Sequence, residues 1–371
     1  MAAATQGGGS APPSFASWPA LQAAYAAGRG VIAVIGDSQQ MGAAAGTGPG
    51  GYTGAYLVSP SAFLITGLNG AGVTARDGYF GGSHSIDNLF SPAGIGVGTG
   101  AAFTDYDARF SSADEINWEC SNGQQLDGNY IRNQTNGTAL LLDPGFAYNR
   151  VLAMWGNYGT GTFNVTKSGV AVGATHNGIG PGASGYFNHD IELSSAALSS
   201  APLSVARVAD GAYIGPFVVW NSTEQHVAVV QLGVGGRTAQ AWAAQNLGAL
   251  GILGRLGPQL TPIQLGLNDK IAGRTKAQFK GDMQTIITAV LALGSDVLLE
   301  VPPPTGAFDI GTDYQDAIWE LAASNSLQDP IDLYAHFVSY AASIAYYADI
   351  YHLNASGNEV VAGLEQERLL A

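Results

Sequence analysis

Cysteine is almost missing from this chain: Cys120 is the only one in 371 residues. That excludes an intramolecular disulfide and leaves the redox compartment unread, so Cys120 reads as a small buried hydrophobe. Positive charge is scarce too. Fourteen Lys and Arg stand against 28 Asp and Glu, a formal net charge of −14, which argues against a nucleic-acid partner because phosphate neutralisation needs clustered cations. No uninterrupted apolar run approaches the roughly 20 residues that span a bilayer, so no transmembrane segment is expected. The opening "MAAATQGGGSAPPSF" has neither a basic n-region nor an apolar h-region. Residues 1–13 therefore read as a flexible leader, with a secretory signal absent or already removed. No histidine, cysteine or acid set shows metal-ligand spacing, and no cofactor motif is present: "GTGPGG" at 46–51 lacks the Lys-Ser/Thr of a phosphate loop. Neither a metal nor a cofactor is expected.

What the chain does have is texture that changes twice. Residues 14–72 offer a helix at "SWPALQAAYAAG", with Ser17 as N-cap, then the buried strand "VIAVIG". From about residue 229 the strands "HVAVVQLGV", "TPIQLGLN" and "DVLLEVP" alternate with the helices "TAQAWAAQNLGALGILGRL", "TKAQFKGDMQTIITAVLALG", "TDYQDAIWELAASN" and "ASGNEVVAGLEQERLL". Thr312 and Gln315 have capping-box spacing. Continuous apolar strands separated by helices imply a parallel sheet covered on both faces. Between them, residues 73–228 are rich in Gly, Ser, Thr, Asn and aromatics, with short β-branched runs bounded by turn residues. That pattern predicts a β-sandwich or jelly roll, with a hairpin across Lys167-Ser168-Gly169. The expected architecture is an α/β domain from 14–72 and 229–371, interrupted by an inserted β domain at 73–228.

In open α/β sheets ligands sit beyond the carboxyl ends of the strands, and four polar clusters lie there or near the C-terminus: "GDSQQMG" at 36–42, "GVGGRT" at 233–238, "GLND" at 266–269 and "DIYHLNASG" at 349–357. Singly, each has a plain reading. Gly-Asp-Ser is a common turn, Asn268 or Asp269 would cap a neighbouring element, and His352 would be structural. Together they supply a serine nucleophile, a base, an acid to orient it and oxyanion donors.

In that order the four blocks resemble the SGNH hydrolases, the GDSL-type esterase and lipase superfamily. The resemblance covers the two α/β segments and not the middle, and it implies a three-layer α/β/α, flavodoxin-like domain. It implies Ser38 as nucleophile, His352 as general base and Asp349 as the group that fixes the imidazole. It further implies an oxyanion hole from the N–H groups of Ser38 and Gly236 with the Asn268 side chain, and a supporting turn role for Asp37. A Cβ at position 236 is expected to block approach of the substrate oxygen. The implied activity is a serine esterase removing small acyl groups, above all O-acetyl, from a carbohydrate. The inserted region resembles carbohydrate-binding modules, and Trp118, Tyr130, Trp155, Tyr158 and Tyr186 are candidates to stack on sugar rings, or else core residues. Phage tail esterases share these features, so an extracellular or virion-associated setting is expected, with homo-oligomer or virion assembly among its partners. Two other readings stay open: a lipase or broad carboxylesterase, and a non-catalytic glycan-binding or virion adhesion protein. Asp309, Asp313, Asp316 and Glu320 read as acids favouring a helix N-terminus rather than as a calcium site. Of the sequons at Asn133, Asn136, Asn164, Asn221 and Asn354, the last lies too close to His352 to suit a glycan.

Overall fold

The computed structural model describes residues 14–47, 54–81, 107–112, 118–122, 129–133, 139–156, 162–172, 176–177, 187–209, 212–244, 249–307 and 310–371. Six strands form a parallel sheet: β1 (Arg29–Gly36), β2 (Ala75–Arg76), β3 (His226–Gln231), β4 (Leu260–Gln264), β5 (Asp296–Val301) and β6 (Ile331–Asp332), in the spatial order β6-β5-β4-β1-β3-β2. Every neighbouring pair is parallel. β1 is central because its apolar residues on both faces find cover, and each residue from Gly30 to Gly36 is buried.

The helices are α1 (Pro19–Ala26), α2 (Pro60–Gly70), α3 (Ala239–Ala244), α4 (Ala249–Leu256), α5 (Leu267–Ile271), α6 (Lys276–Ala292), α7 (Gly311–Ser324), α8 (Leu333–Phe337) and α9 (Ala355–Leu370). They divide the apolar residues between two cores. On one face Val31, Ala33 and Ile35 of β1 pack with α3, α4, α6 and α7 through Trp242, Leu253, Phe279 and Tyr314. On the other, Ile32 and Val34 pack with α1, α2, α8 and α9 through Leu21, Leu64, Phe337 and Val361. The period-two alternation along β1 thus feeds both helix layers, and the α/β/α sandwich is as expected.

Two antiparallel sheets make up most of the described residues of the middle region. One runs in the order 187–199, 148–156, 212–220, 129–133, 118–122, with Tyr79–Phe80 also paired to 212–220; the other runs 170–171, 162–167, 203–209, 140–142, 110–111, with His176–Asn177 paired to 162–167. Phe80, Tyr148 and Phe217 of the first meet Phe110, Phe163 and Val205 of the second in a third core, the packing of a β-sandwich. The expected hairpin is present: Val170 pairs with Lys167 across Ser168 and Gly169, whose φ values of 52° and 76° are both left-handed, as a two-residue hairpin turn demands. The parallel sheet takes in Ala75–Arg76 and resumes at His226, a few residues to either side of the junctions read from texture. Arg109 ties the sandwich back to this region. It bonds the Asp107 carboxylate at 2.7 Å and the Asp77 carboxylate at 3.0 Å, donates to the carbonyls of Asp77 and Tyr79, and stacks over Tyr56 and Phe80.

Two local expectations are corrected. Ser17 does not cap α1: the N-cap is Trp18 without a side-chain bond, Pro19 supplies the helix start, and the Ser17 hydroxyl donates to the Ala371 carbonyl. Thr312 and Gln315 form no capping box, because α7 begins at Gly311 and Gln315 reaches instead to Asp332. The box occurs at α6, where Thr275 and Gln278 satisfy each other's backbone. Of the helix read at 238–256 the structure describes two helical segments, α3 and α4, and 245–248 lie outside the described residues. Among the sugar-stacking candidates, Tyr158 and Tyr186 lie outside the described residues, as do the side chains of Trp118, Tyr130 and Trp155. Asp309 is likewise outside them, while Asp313 pairs with Lys270 and Glu320 with Lys276 and Lys280. Asn354 caps α9 by accepting from the Gly357 N–H. Among the described residues no helix is long and apolar enough to cross a membrane.

Candidate active site

The carboxyl end of β1 delivers a tight turn. Asp37 accepts from the Gln39 N–H at 2.9 Å through its side chain, and its carbonyl accepts from Met41. A methyl group on Gly36 would lie 2.5 Å from Cγ of Gln40, so glycine is required for the chain to fold back over its own strand. This turn presents Ser38 at the sheet edge.

His352 meets it from a separate loop. Its Nε2 lies 3.0 Å from the Ser38 hydroxyl and its Nδ1 lies 2.8 Å from Oδ2 of Asp349. The other oxygen of Asp349 accepts from the Tyr351 and His352 N–H groups at 2.6 and 2.7 Å. Burial pushes the Asp349 carboxyl upward, but the His352 bond and charge and these two N–H groups more than offset it and hold the acid at about 2. It is therefore an anion at neutral pH. An anionic carboxylate only accepts, so Nδ1 of His352 carries the proton and Nε2 turns its lone pair toward the serine.

The other two blocks converge on the same edge. Asn268, at the start of α5, donates from Nδ2 to Oδ2 of Asp37 at 3.0 Å and to the Arg237 carbonyl at 3.1 Å. One amide thus joins the Ser38 turn to the loop after β3, and Gly236 precedes that carbonyl. Gly236 adopts φ +73°, yet a Cβ built there meets nothing within 4 Å. Its left-handed backbone calls for glycine on conformational grounds, and the space beside it is open. The steric demand falls on Gly233, where a Cβ would lie 2.9 Å from the Asp37 carbonyl.

Asp37 is fully buried, and burial is the main cause that lifts its carboxyl to about 6, against the lowering bonds from Gln39 and Asn268 and the charge of His352. Asp269 takes the capping role left open for "GLND": its Oδ2 accepts the Ala239 N–H at the start of α3 at 2.8 Å, and burial raises its pKa as well. Sequence reasoning missed Gln39. Its side chain donates to the Tyr351 carbonyl and accepts from the Leu353 N–H, and so braces the His352 loop against the Ser38 turn. A pair of glutamines directly after the serine was the available signal.

Residues 209–360 match the sequence model of the GDSL-like Lipase/Acylhydrolase family. That stretch contains Gly236, Asn268, Asp349 and His352, and the fold adds Ser38 from outside it. The matched stretch therefore belongs to a GDSL/SGNH lipase-acylhydrolase domain. Among solved structures, a peptidoglycan O-acetylesterase is 15% identical with a TM-score of 0.67, covering 96% of this chain and 96% of that one. Protein YxiM of Bacillus subtilis is 18% identical with a TM-score of 0.38 over 76% of this chain and 95% of that one. The acetylxylan esterase Axe2 of Geobacillus stearothermophilus, solved as a catalytic mutant, is 13% identical with a TM-score of 0.32 over 40% and 74%. No curated protein matches the chain in sequence. The first of these structures shares the two-part architecture along nearly its whole length, and the likeness is one of fold.

Proposed function

We propose that the protein is a serine esterase that hydrolyses small acyl esters, chiefly O-acetyl groups on a carbohydrate, through an acyl-enzyme on Ser38. The observation that carries this reading is the unbroken hydrogen-bonded chain from Ser38 to His352 to Asp349, at 3.0 and 2.8 Å. Ser38 Oγ forms a bond to the ester carbonyl carbon as His352 Nε2 takes its proton. The imidazolium so formed is stabilised by the anionic Asp349. The tetrahedral oxyanion is received by the Ser38 and Gly236 N–H groups and by Asn268. Both protons of the Asn268 amide already have acceptors, on Asp37 and Arg237, so the oxyanion takes one of them over, and the other bond keeps the amide aimed. Collapse breaks the carbon–oxygen bond to the sugar, and His352 returns the proton to the departing hydroxyl. Water then attacks the acyl-enzyme by the same route in reverse, releasing acetate and restoring Ser38.

The acetyl and glycan parts of the reading are supported by the solved structure of like architecture, a peptidoglycan O-acetylesterase. Under this reading the inserted unit, residues 73–228, holds the glycan, and the protein works outside the cell or on a virion. Acetate release from O-acetylated peptidoglycan and from a panel of O-acetylated polysaccharides tests it. Release from at least one of them, abolished by Ser38→Ala, is expected. A preference for aryl octanoate over aryl acetate would replace the deacetylase by a lipase, and activity surviving in Ser38→Ala would remove Ser38 as nucleophile.

A further inference from the structure

Directly beneath the Ser38 turn lies a polar layer that the chemistry above does not use. Glu300 of β5, Gln264 of β4 and Gln231 of β3 stand on one sheet face at the carboxyl ends of their strands. Glu365 of α9 comes down from the covering helix, and Gln40 enters from the turn. All five are between 0% and 2% exposed. Gln40 Nε2 donates to Oε2 of Glu300 at 2.9 Å and to Oε1 of Glu365 at 3.3 Å, and Gln264 Nε2 donates to Oε2 of Glu300 at 3.1 Å. The Gln40 carbonyl accepts from Gln231 Nε2 at 3.0 Å. Gln40, two residues beyond Ser38, is therefore pinned by both its side chain and its backbone.

Donors are short in this layer. Among the described residues, Glu300 Oε1, Glu365 Oε2 and the amide oxygens of Gln40, Gln231 and Gln264 find no hydrogen-bond partner. Among the same residues no cation pairs with either glutamate, and the groups that bond them from the turn and β4 are neutral amides. Asp37, the acid of the same turn, is engaged with Gln39 and Asn268 instead. Two buried anions sharing one amide donor would repel strongly without compensation. A proton on one of them removes the repulsion and supplies the missing donor where the two carboxyls meet, at the one Gln40 amide nitrogen that bonds both.

We propose that Glu300 and Glu365 share a proton, and that this carboxyl pair is a positioning device that clamps Gln40 and so holds the Ser38 turn in its reactive geometry. Neither carboxyl touches the reacting atoms. Loss of the shared proton to solvent base in alkaline solution turns the pair into two repelling carboxylates and loosens the turn. Burial, then the neighbouring Glu365, raises the Glu300 carboxyl well above its ordinary value, and burial lifts Glu365 to about 7. Both shifts are upward, so the stability the pair contributes is complete in acid and is lost as pH rises through those values.

The inference rests on Ser38 as nucleophile for its kinetic arm only. The first measurement is the infrared spectrum of the wild-type protein in heavy water at pH 7. A protonated-carboxyl band is expected, lost in Glu300→Gln and Glu365→Gln; its absence from the wild type, or its persistence in both variants, overturns the proposal. The second is kcat and KM on a soluble aryl acetate from about pH 6 to pH 10. Glutamine donates as a protonated glutamate does, so Glu365→Gln is expected to keep kcat at neutral pH and lose the alkaline fall in kcat, with KM unchanged. An alkaline limb superimposable on the wild type would overturn it. Should Glu365→Gln fail to fold, Glu300→Gln and the wild-type spectrum still decide, and neither spectrum depends on the enzyme being active.

Discussion

Asp349→Asn separates the chemical duty of Asp349 from its structural one. One carboxylate oxygen holds the loop by accepting the Tyr351 and His352 N–H groups at 2.6 and 2.7 Å, and the other faces Nδ1 of His352 at 2.8 Å. An asparagine keeps the first duty, because its carbonyl oxygen accepts as well. Its amide reverses the second: an N–H now faces Nδ1, which must become the acceptor, and the ring proton moves to Nε2. Ser38 then meets a donor where it needs a base. At a buried triad this change costs about 10,000-fold in kcat. Here the Asp349 side chain is 42% exposed, so water screens the tautomer preference and partly solvates the imidazolium. The expected loss is about 100- to 1,000-fold in kcat, or about 2.7 to 4 kcal/mol in the barrier. Steady-state hydrolysis of p-nitrophenyl acetate at neutral pH, alongside thermal unfolding, gives the result, with Tm nearly unchanged. A variant within about fivefold of wild type would refute the assigned proton positions.

Two other outcomes follow from the contacts. Asn268→Ala removes the proposed oxyanion donor and the bond to the buried Asp37, and kcat on the same ester is expected to fall about 100- to 1,000-fold; wild-type kcat would show that Asn268 serves the turn alone. Arg109→Met leaves the buried Asp107 and the neighbouring Asp77 without their cation, at a cost of about 3 kcal/mol, the low end for a buried pair because Arg109 keeps 14% exposure. Differential scanning calorimetry checks it, and an unshifted transition would mean that the Arg109 contacts contribute nothing net.

The α/β frame and the paired groups at its edge were legible because each is encoded locally. β1 reads as a buried strand from its own residues, and Ser38 and Asn268 sit in short polar blocks after strands, with Asp349 and His352 in another near the C-terminus. The buried pair was not legible. Glu300 lies in "DVLLEVP", where periodicity registers one polar residue in an apolar run, and Glu365 lies in a helix with other acids around it; only tertiary packing sets them face to face. Gln39 was hidden for the same reason, since its partners at Tyr351 and Leu353 arrive from the far end of the chain. The two failed caps share a different cause. Thr312 sits inside a helix that starts one residue earlier, and Pro19 rather than Ser17 sets the start of α1, where spacing alone cannot fix a terminus.

The central place of β1 has a consequence for how the protein is made. Arg29 pairs with His226 and Ile32 with Leu260, so the strand that carries Ser38 emerges from the ribosome before either neighbour and meets neither until the whole sandwich has been synthesised. Closing so long a loop is entropically costly and slow. A sandwich that folds first shortens the loop, because its two ends, at Ala75 and Val227, lie side by side in the finished sheet. Synthesis order and assembly order are then opposed, and reactivity at Ser38 would arise only after everything between its strand and that strand's partners has folded.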